Sequence, residues 1–248
     1  MTDSSPEIAF LQLDADRVVV GEGPFEGLSR PPSEGSAFYW NDFELSDPAP
    51  WRVPTSCRVV SSKDAFPERL EFPTVDWASP ARACFNEAFQ EITHAFGNGA
   101  RLEKLVPVVT ERGTLCSGDL RALAPRVIAD SGPEVQAYGY WGADCGLIGA
   151  TPERFLAFAD GVLETVALAG TAPPRERERF VGDAKQIREH ALGVEGIRAA
   201  VGAALLDETP REVLAIDGLL HFLTRLCFQA PSDLRLDELI AQLHPTLA

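Results

Sequence analysis

Four stretches of the chain carry residue types able to move protons or hold an anion. The first is Gly149-Ala150-Thr151-Pro152-Glu153, a carboxylate delivered directly after a strand-like run and stiffened by a proline. A carboxyl group so placed, partly desolvated, has a raised pKa and can donate a proton, although the same pattern also suits a strand-connecting turn with a solvated glutamate. The second runs from Glu164 to Thr171, ends in small residues at Ala169, Gly170 and Thr171, and is followed by Pro173 and Pro174. Small side chains at a strand end let an anion approach backbone N–H groups, while a hairpin strand entering a proline-limited loop reads the same way.

The third stretch places Lys185, Glu189, Gly193 and Gly196 at i, i+4, i+8 and i+11, on one helix face away from the apolar stripe. Each mid-helix glycine costs about 1 kcal/mol relative to alanine. A ligand, an ion or a backbone approaching that face would explain them; an exposed Lys185–Glu189 pair contributing roughly 0.5 kcal/mol or less is the alternative. The fourth is Lys104, at the mouth of the apolar run Leu105 to Val109. Held near apolar surface and other cations, a lysine becomes a base; otherwise it snorkels to water. His190, His221 and His244 have no mutual metal-ligand spacing.

These groups need a scaffold, and the pattern around them supplies one. Ten of the 19 prolines fall in the first 80 residues, where short strand-like runs, Ile8 to Leu13, Arg17 to Val20 and Ala37 to Trp40, sit between turn clusters. Phe85, Ala88, Phe89, Ile92 and Phe96 then recur at helical spacing up to a Gly97-Asn98-Gly99 stop. Leu105 to Val109 reads as an edge or bulged strand because Pro107 cannot donate to a ladder. Leu120 to Ile128 reads as a helix, and Val135 to Trp141 and Gly146 to Ala150 as strands. Phe155 to Phe158 pairs with Val162 to Leu168 across an Asp160-Gly161 turn, which implies an antiparallel sheet. Apolar residues from Phe180 to Leu205 predict one long amphipathic helix, Leu219 to Phe228 a strand and Leu236 to Leu243 a final short helix.

With 22 Lys+Arg against 37 Asp+Glu, the net charge of −15 repels phosphate backbones and anionic lipid, so neither nucleic acid nor a membrane surface is an expected partner. The five cysteines form no CxxC pair and no Cys/His cluster of zinc spacing. That usage, with a polar, acidic start and no apolar run near the ~20 residues of a spanning helix, predicts a cytoplasmic protein.

Taken in order, Leu102-Glu103-Lys104-Leu105-Val106, Gly149 to Glu153, Glu164 to Thr171, Lys185-Gln186-Ile187-Arg188-Glu189-His190, His221-Phe222-Leu223-Thr224 and Leu243-His244-Pro245-Thr246 resemble the catalytic domain of the chorismate-utilising enzymes. That family includes isochorismate, anthranilate, aminodeoxychorismate and salicylate synthases. The match runs from about Trp77 to Ala248. It implies an α+β fold of large antiparallel sheets flanked by helices, chorismate as substrate, and a Mg2+ ion that chelates the substrate carboxylate. Residues 1–73 would form a strand-rich N-terminal layer and residues 74–248 the N-terminal part of the chorismate-binding domain.

Carried over position by position, the resemblance makes Lys104 the base that activates water for attack at ring carbon 2 and Glu153 the acid that protonates the departing hydroxyl at carbon 4. Glu189 becomes a magnesium ligand, and Ala169, Gly170, Thr171 and His221 position the substrate. One group that takes a proton and one that gives it are what hydroxyl transfer across a ring requires. A lysine at position 104 resembles the family members that add water, and Ala169 stands where aminodeoxychorismate synthases carry a lysine. Isochorismate synthase is the favoured reading, with salicylate or anthranilate synthase, or a non-catalytic relative, as alternatives.

Pro107 and Val109 depart from the family's usual run, as does Ala172-Pro173-Pro174 from its arginine-containing loop. The family also continues past Leu243-His244-Pro245-Thr246 into a glycine-proline turn and a second half that supplies another magnesium-ligating glutamate and a carboxylate-binding arginine. The expectation that follows is of exposed apolar strands and unpaired edges, met by self-association or by a second polypeptide that completes the fold.

Overall fold

The computed structural model describes residues 7–66, 70–79, 82–97, 105–142, 145–230 and 235–244. They form two compact units, one of Met1–Glu68 with Leu123–Leu247, the other of Arg69–Ala122. The first 66 residues give β1 (Ile8–Gln12), β2 (Arg17–Glu22), β3 (Glu26–Leu28), β4 (Phe38–Tyr39), β5 (Trp51–Val53) and β6 (Ser56–Ser61). The smaller unit holds β7 (Thr74–Trp77), α1 (Arg82–Gly97) and β8 (Gly113–Ser117), with β7 and β8 paired. Leu105 to Val109 forms no strand; Pro107 lacks the N–H that a ladder needs.

The rest of the larger unit runs through α2 (Leu123–Asp130), β9 (Gln136–Trp141), β10 (Gly146–Thr151), β11 (Ala157–Ala159) and β12 (Val162–Ala172). It continues with α3 (Arg177–Gly182), α4 (Ala184–Val201), β13 (Leu205–Glu208), β14 (Glu212–Ile216), β15 (Leu219–Gln229) and α5 (Leu236–Leu243). The helix expected from Phe180 to Leu205 is therefore broken. Asp183 adopts an extended conformation at the break and its side chain accepts from the Lys185 and Gln186 N–H groups, which starts a new helix at Ala184.

The fold is α+β, with antiparallel pairing at every described strand contact. One sheet has the order β10-β9-β1-β2-β6, so N-terminal strands pair with strands from beyond position 130. Alternation sends Phe10, Val18, Val20 and Ala137 to one face, where Ala124 and Ile128 of α2 and the ring of Phe66 close over them. Gln12 is the polar residue in that core, and its amide is spent there: it donates to Ile128 O at 3.4 Å and accepts from Ala137 N at 3.1 Å. On the opposite face Leu11, Val59 and Leu147 are 40%, 55% and 56% exposed.

The second sheet has the order β11-β12-β15-β13, with β14 also pairing β15. Its two hairpins turn on Asp160-Gly161 and Asp217-Gly218, four residues all at positive φ, as two-residue turns between twisted strands require. Leu163 and Ala167 of β12 and Leu226 and Phe228 of β15 meet Val194 and Ile197 of α4 and Leu239 and Leu243 of α5. Among the described residues, no helix is long and apolar enough to cross a membrane.

Candidate functional site

The long central pair β12 and β15 positions most of the groups singled out in the sequence. Their register runs without interruption from Val162↔Gln229 to Ala169↔Phe222, then resumes at Ala172↔Leu220. Three residues on β12 thus face two steps on β15, and the extra residue bulges at Gly170-Thr171. Gly170 takes up the bulge at φ +76°, and a Cβ there would lie 3.0 Å from Gln186 Oε1 and 3.3 Å from the Phe180 ring. Only glycine meets both conditions without strain.

Two side chains converge on the bulge. The Thr171 N–H donates to Gln186 Oε1 at 3.1 Å, and His221 Nδ1 lies 3.0 Å from Gly170 O and 3.4 Å from Thr171 Oγ1. On the helix side Phe180 of α3 stacks on Phe222 with centroids 4.2 Å apart, and the Arg211 guanidinium sits 4.7 Å from the Phe222 centroid. Alternation along β15 puts His221 on the face opposite Phe222, so the bulge is gripped from both sides of the sheet.

Glu189 lies one turn along α4 from Gln186 and is half-buried. Its neighbour His190 is 2% exposed and meets Thr224, also 2% exposed, through Nε2 and Oγ1 at 2.9 Å. That contact fixes the rotation of α4 against β15. Gly193, expected on a face away from the apolar stripe, is buried.

Glu153 follows β10 as expected. Its N–H donates to Thr151 Oγ1 at 3.0 Å, a local turn closed by the threonine hydroxyl. The next residue, Arg154, pairs with Glu164 of β12, and Thr165 Oγ1 donates to Phe155 O at 2.7 Å. Glu153, itself half-buried, is thereby stapled to the sheet that carries the bulge. Lys104 lies outside the described residues, as do Pro245 and Thr246.

A polar cleft of about 350 Å³ adjoins this staple, lined by Pro152, Arg154, Glu164, Leu223 and Arg225 among others. Arg225 bridges Glu134 and Glu212, so both arginines of the cleft are already neutralised. Burial pushes the nearby Cys227 thiol up, with the Glu164 carboxylate adding to the effect. A larger cavity of about 660 Å³, walled by Phe38, Trp40, Tyr138 and Tyr140, lies on the outer face of the first sheet and contains none of the predicted site residues.

Among the described residues, no three His, Cys, Asp or Glu side chains are grouped so as to hold a metal ion. The described residues therefore form no three-ligand protein cage around Glu189. Sequence reasoning missed Gln186 as a contact of the bulge and Thr224 as the partner of His190. The strand alternation of β15 was the signal that could have found Thr224; no local signal turns Gln186 towards the bulge.

The family model described as chorismate binding enzyme matches residues 82–248. No curated protein sequence matches the chain. Among solved structures, a protein assigned as the 2,3-dihydroxybenzoate-specific isochorismate synthase DhbC of Bacillus anthracis superposes with a TM-score of 0.73 at 18% identity, over 96% of this chain and 72% of that one. MenF, the menaquinone-specific isochorismate synthase of Escherichia coli, superposes with a TM-score of 0.71 at 18% identity, over 99% of this chain and 69% of that one. At such identity the likeness is one of fold.

Proposed function

The chain belongs to the chorismate-binding enzyme family, and from that premise we propose that it converts chorismate to isochorismate. The observation that carries the reading is the gripped bulge at Gly170-Thr171, a strand end of small residues with His221 on one side and the Glu189 helix on the other. The fold likeness to two isochorismate synthases supports the choice of reaction within the family.

In this reading Lys104 takes a proton from water as the water oxygen bonds to carbon 2 of the ring. The ring double bonds shift, the carbon 4–oxygen bond breaks, and Glu153 gives its proton to the departing hydroxyl. One proton is taken and one given, so the reaction is a net isomerisation. In this reading Lys104 acts as the neutral amine and Glu153 as the protonated carboxylic acid. His221, Ala169, Gly170 and Thr171 position the ring.

Glu189 would hold the magnesium ion in this reading. The ion ordinarily keeps several waters and takes one or two carboxylates together with substrate oxygens, so one protein carboxylate beside the substrate's own is a workable set. The ion would supply charge neutralisation for the substrate carboxylate; the proton transfers are assigned to Lys104 and Glu153.

The test is isochorismate formation from chorismate with Mg2+, followed by chromatography, for the unaltered chain and for Lys104→Ala and Glu153→Gln. Turnover lost in both variants is the expected result. Turnover retained in either variant would remove that residue from the mechanism, and none in the unaltered chain would make it a non-catalytic member of the family.

A further inference from the structure

The Thr171 N–H and the Gly170 carbonyl belong to one peptide unit, and each has its own side-chain partner. Gln186 Oε1 accepts from the N–H at 3.1 Å, and the carbonyl oxygen lies 3.0 Å from His221 Nδ1. A carbonyl only accepts, so Nδ1 must be the nitrogen that carries hydrogen. Nε2 of the neutral ring is then left with its lone pair, able to accept from a hydroxyl.

Gln186 is free to act at this distance because of how α4 begins. Asp183-Ala184-Lys185-Gln186 has the spacing of a capping box, in which the glutamine would reach back to the Asp183 N–H. Here that N–H is already donated to Phe180 O at 3.2 Å. Asp183 Oδ1 in turn accepts from Lys185 N at 3.0 Å and Gln186 N at 3.2 Å, which fixes the first turn. The glutamine amide is thus released from its usual local partner and spent on the sheet.

We propose that Gln186 is a positioning residue for His221: by holding the 170–171 peptide in one orientation it decides which imidazole nitrogen carries hydrogen and where the other is directed. Without that acceptor the peptide is free to rotate, and a rotated peptide presents His221 with an N–H rather than a carbonyl. What His221 then meets, a ring hydroxyl that donates to Nε2, rests on the chorismate reading; the clamp itself does not.

The experiment compares imidazole nitrogen and proton resonances of His221 in the unaltered protein with those in Gln186→Met, Gln186→Asn and Gln186→Glu, with His221→Gln to assign them. Methionine keeps the reach but has no oxygen acceptor, asparagine is one methylene short, and glutamate keeps an acceptor oxygen. The expected result is an Nδ1–H ring in the unaltered protein and in Gln186→Glu, and a mixed tautomer population in the other two. Chorismate titration should show KM raised about tenfold in Gln186→Met, the size of one lost hydrogen bond. An unchanged tautomer in both Gln186→Met and Gln186→Asn overturns the proposal whatever the protein does with chorismate. A tautomer change in a protein that neither binds nor turns over chorismate overturns the functional reading instead, and leaves the role of Gln186 standing.

Discussion

Gln186 and His221, one on a helix and one on a strand, hold opposite ends of the same peptide, and the conformation they hold belongs to Gly170. A side chain at that position would have to tolerate φ +76° and come within 3.0 Å of Gln186 Oε1. Gly170→Ala should therefore cost about 1–3 kcal/mol, the range for a non-glycine residue forced into sparsely populated backbone space. Chemical unfolding should show a lower midpoint with an unchanged slope. An unchanged midpoint would mean that the bulge relaxes freely and that the clamp does not constrain it.

The contact between His190 and Thr224 makes a second prediction, because both are 2% exposed and their 2.9 Å contact spans the helix–sheet interface. Thr224→Val keeps the shape and removes the hydroxyl, leaving buried His190 Nε2 without it. The expected loss is about 1–3 kcal/mol of stability. Thr224→Ser, which keeps the hydroxyl and loses a methyl, should be the milder change. If the serine variant proved the weaker of the two, packing rather than hydrogen bonding would be the basis of the contact.

Much of this scaffold was legible in the residues alone, because the signals concerned were local. Leu236–Leu243 is helical as its pattern predicts, and Asp160-Gly161 closes a hairpin because both positions accept positive φ. The helix break at Asp183 was not legible from apolar periodicity, which runs straight across it; the capping aspartate outweighs the periodicity there. The candidate site divides in the same way. Glu153 after β10 and small residues at the end of β12 follow from local spacing. The partnership of Gln186 with Thr171 does not, since a glutamine at the third position of a helix ordinarily bonds within its own turn. Its use on a strand 15 residues away depends on the Phe180 carbonyl having satisfied Asp183 first.

Tyr140 gives a pH-dependent prediction on the first sheet. Its hydroxyl lies 2.7 Å from Cys145 Sγ and its ring stacks on Trp40 at 4.4 Å. The hydrogen bond to Cys145, followed by burial, pushes the phenol up to about 12. In the unfolded chain the same phenol ionises near its ordinary ~10. Between those values the unfolded state binds fewer protons than the folded one, so stability present below pH ~10 should fall as pH rises towards 12. Tyr140→Phe should flatten that fall, and Cys145→Ala should lower the pH at which tyrosinate absorbance from this residue appears. Identical alkaline titrations of the unaltered and Cys145→Ala proteins would rule out the thiol as the cause.

The pairing of Arg154 with Glu164 separates stability from activity. The two side chains are 43% and 31% exposed, so the pair should contribute only about 0–1 kcal/mol to folding. Its position matters more than its strength, since Arg154 adjoins Glu153, and the Thr165–Phe155 hydrogen bond at 2.7 Å is a second tie between that turn and β12. Arg154→Ala leaves the second tie and the Thr151 turn in place, so the fold should survive while Glu153 gains freedom. If Glu153 is the acid of the proposed reaction, kcat for isochorismate formation should fall roughly ten- to a hundredfold, because small misplacements of a reacting group are costly. Glu164→Gln should produce a similar fall. The double variant should be little worse than either single one, since each removes the same restraint. Additive losses would place the two residues in separate roles, and a loss of stability matching the loss of activity would reduce the pair to a structural one.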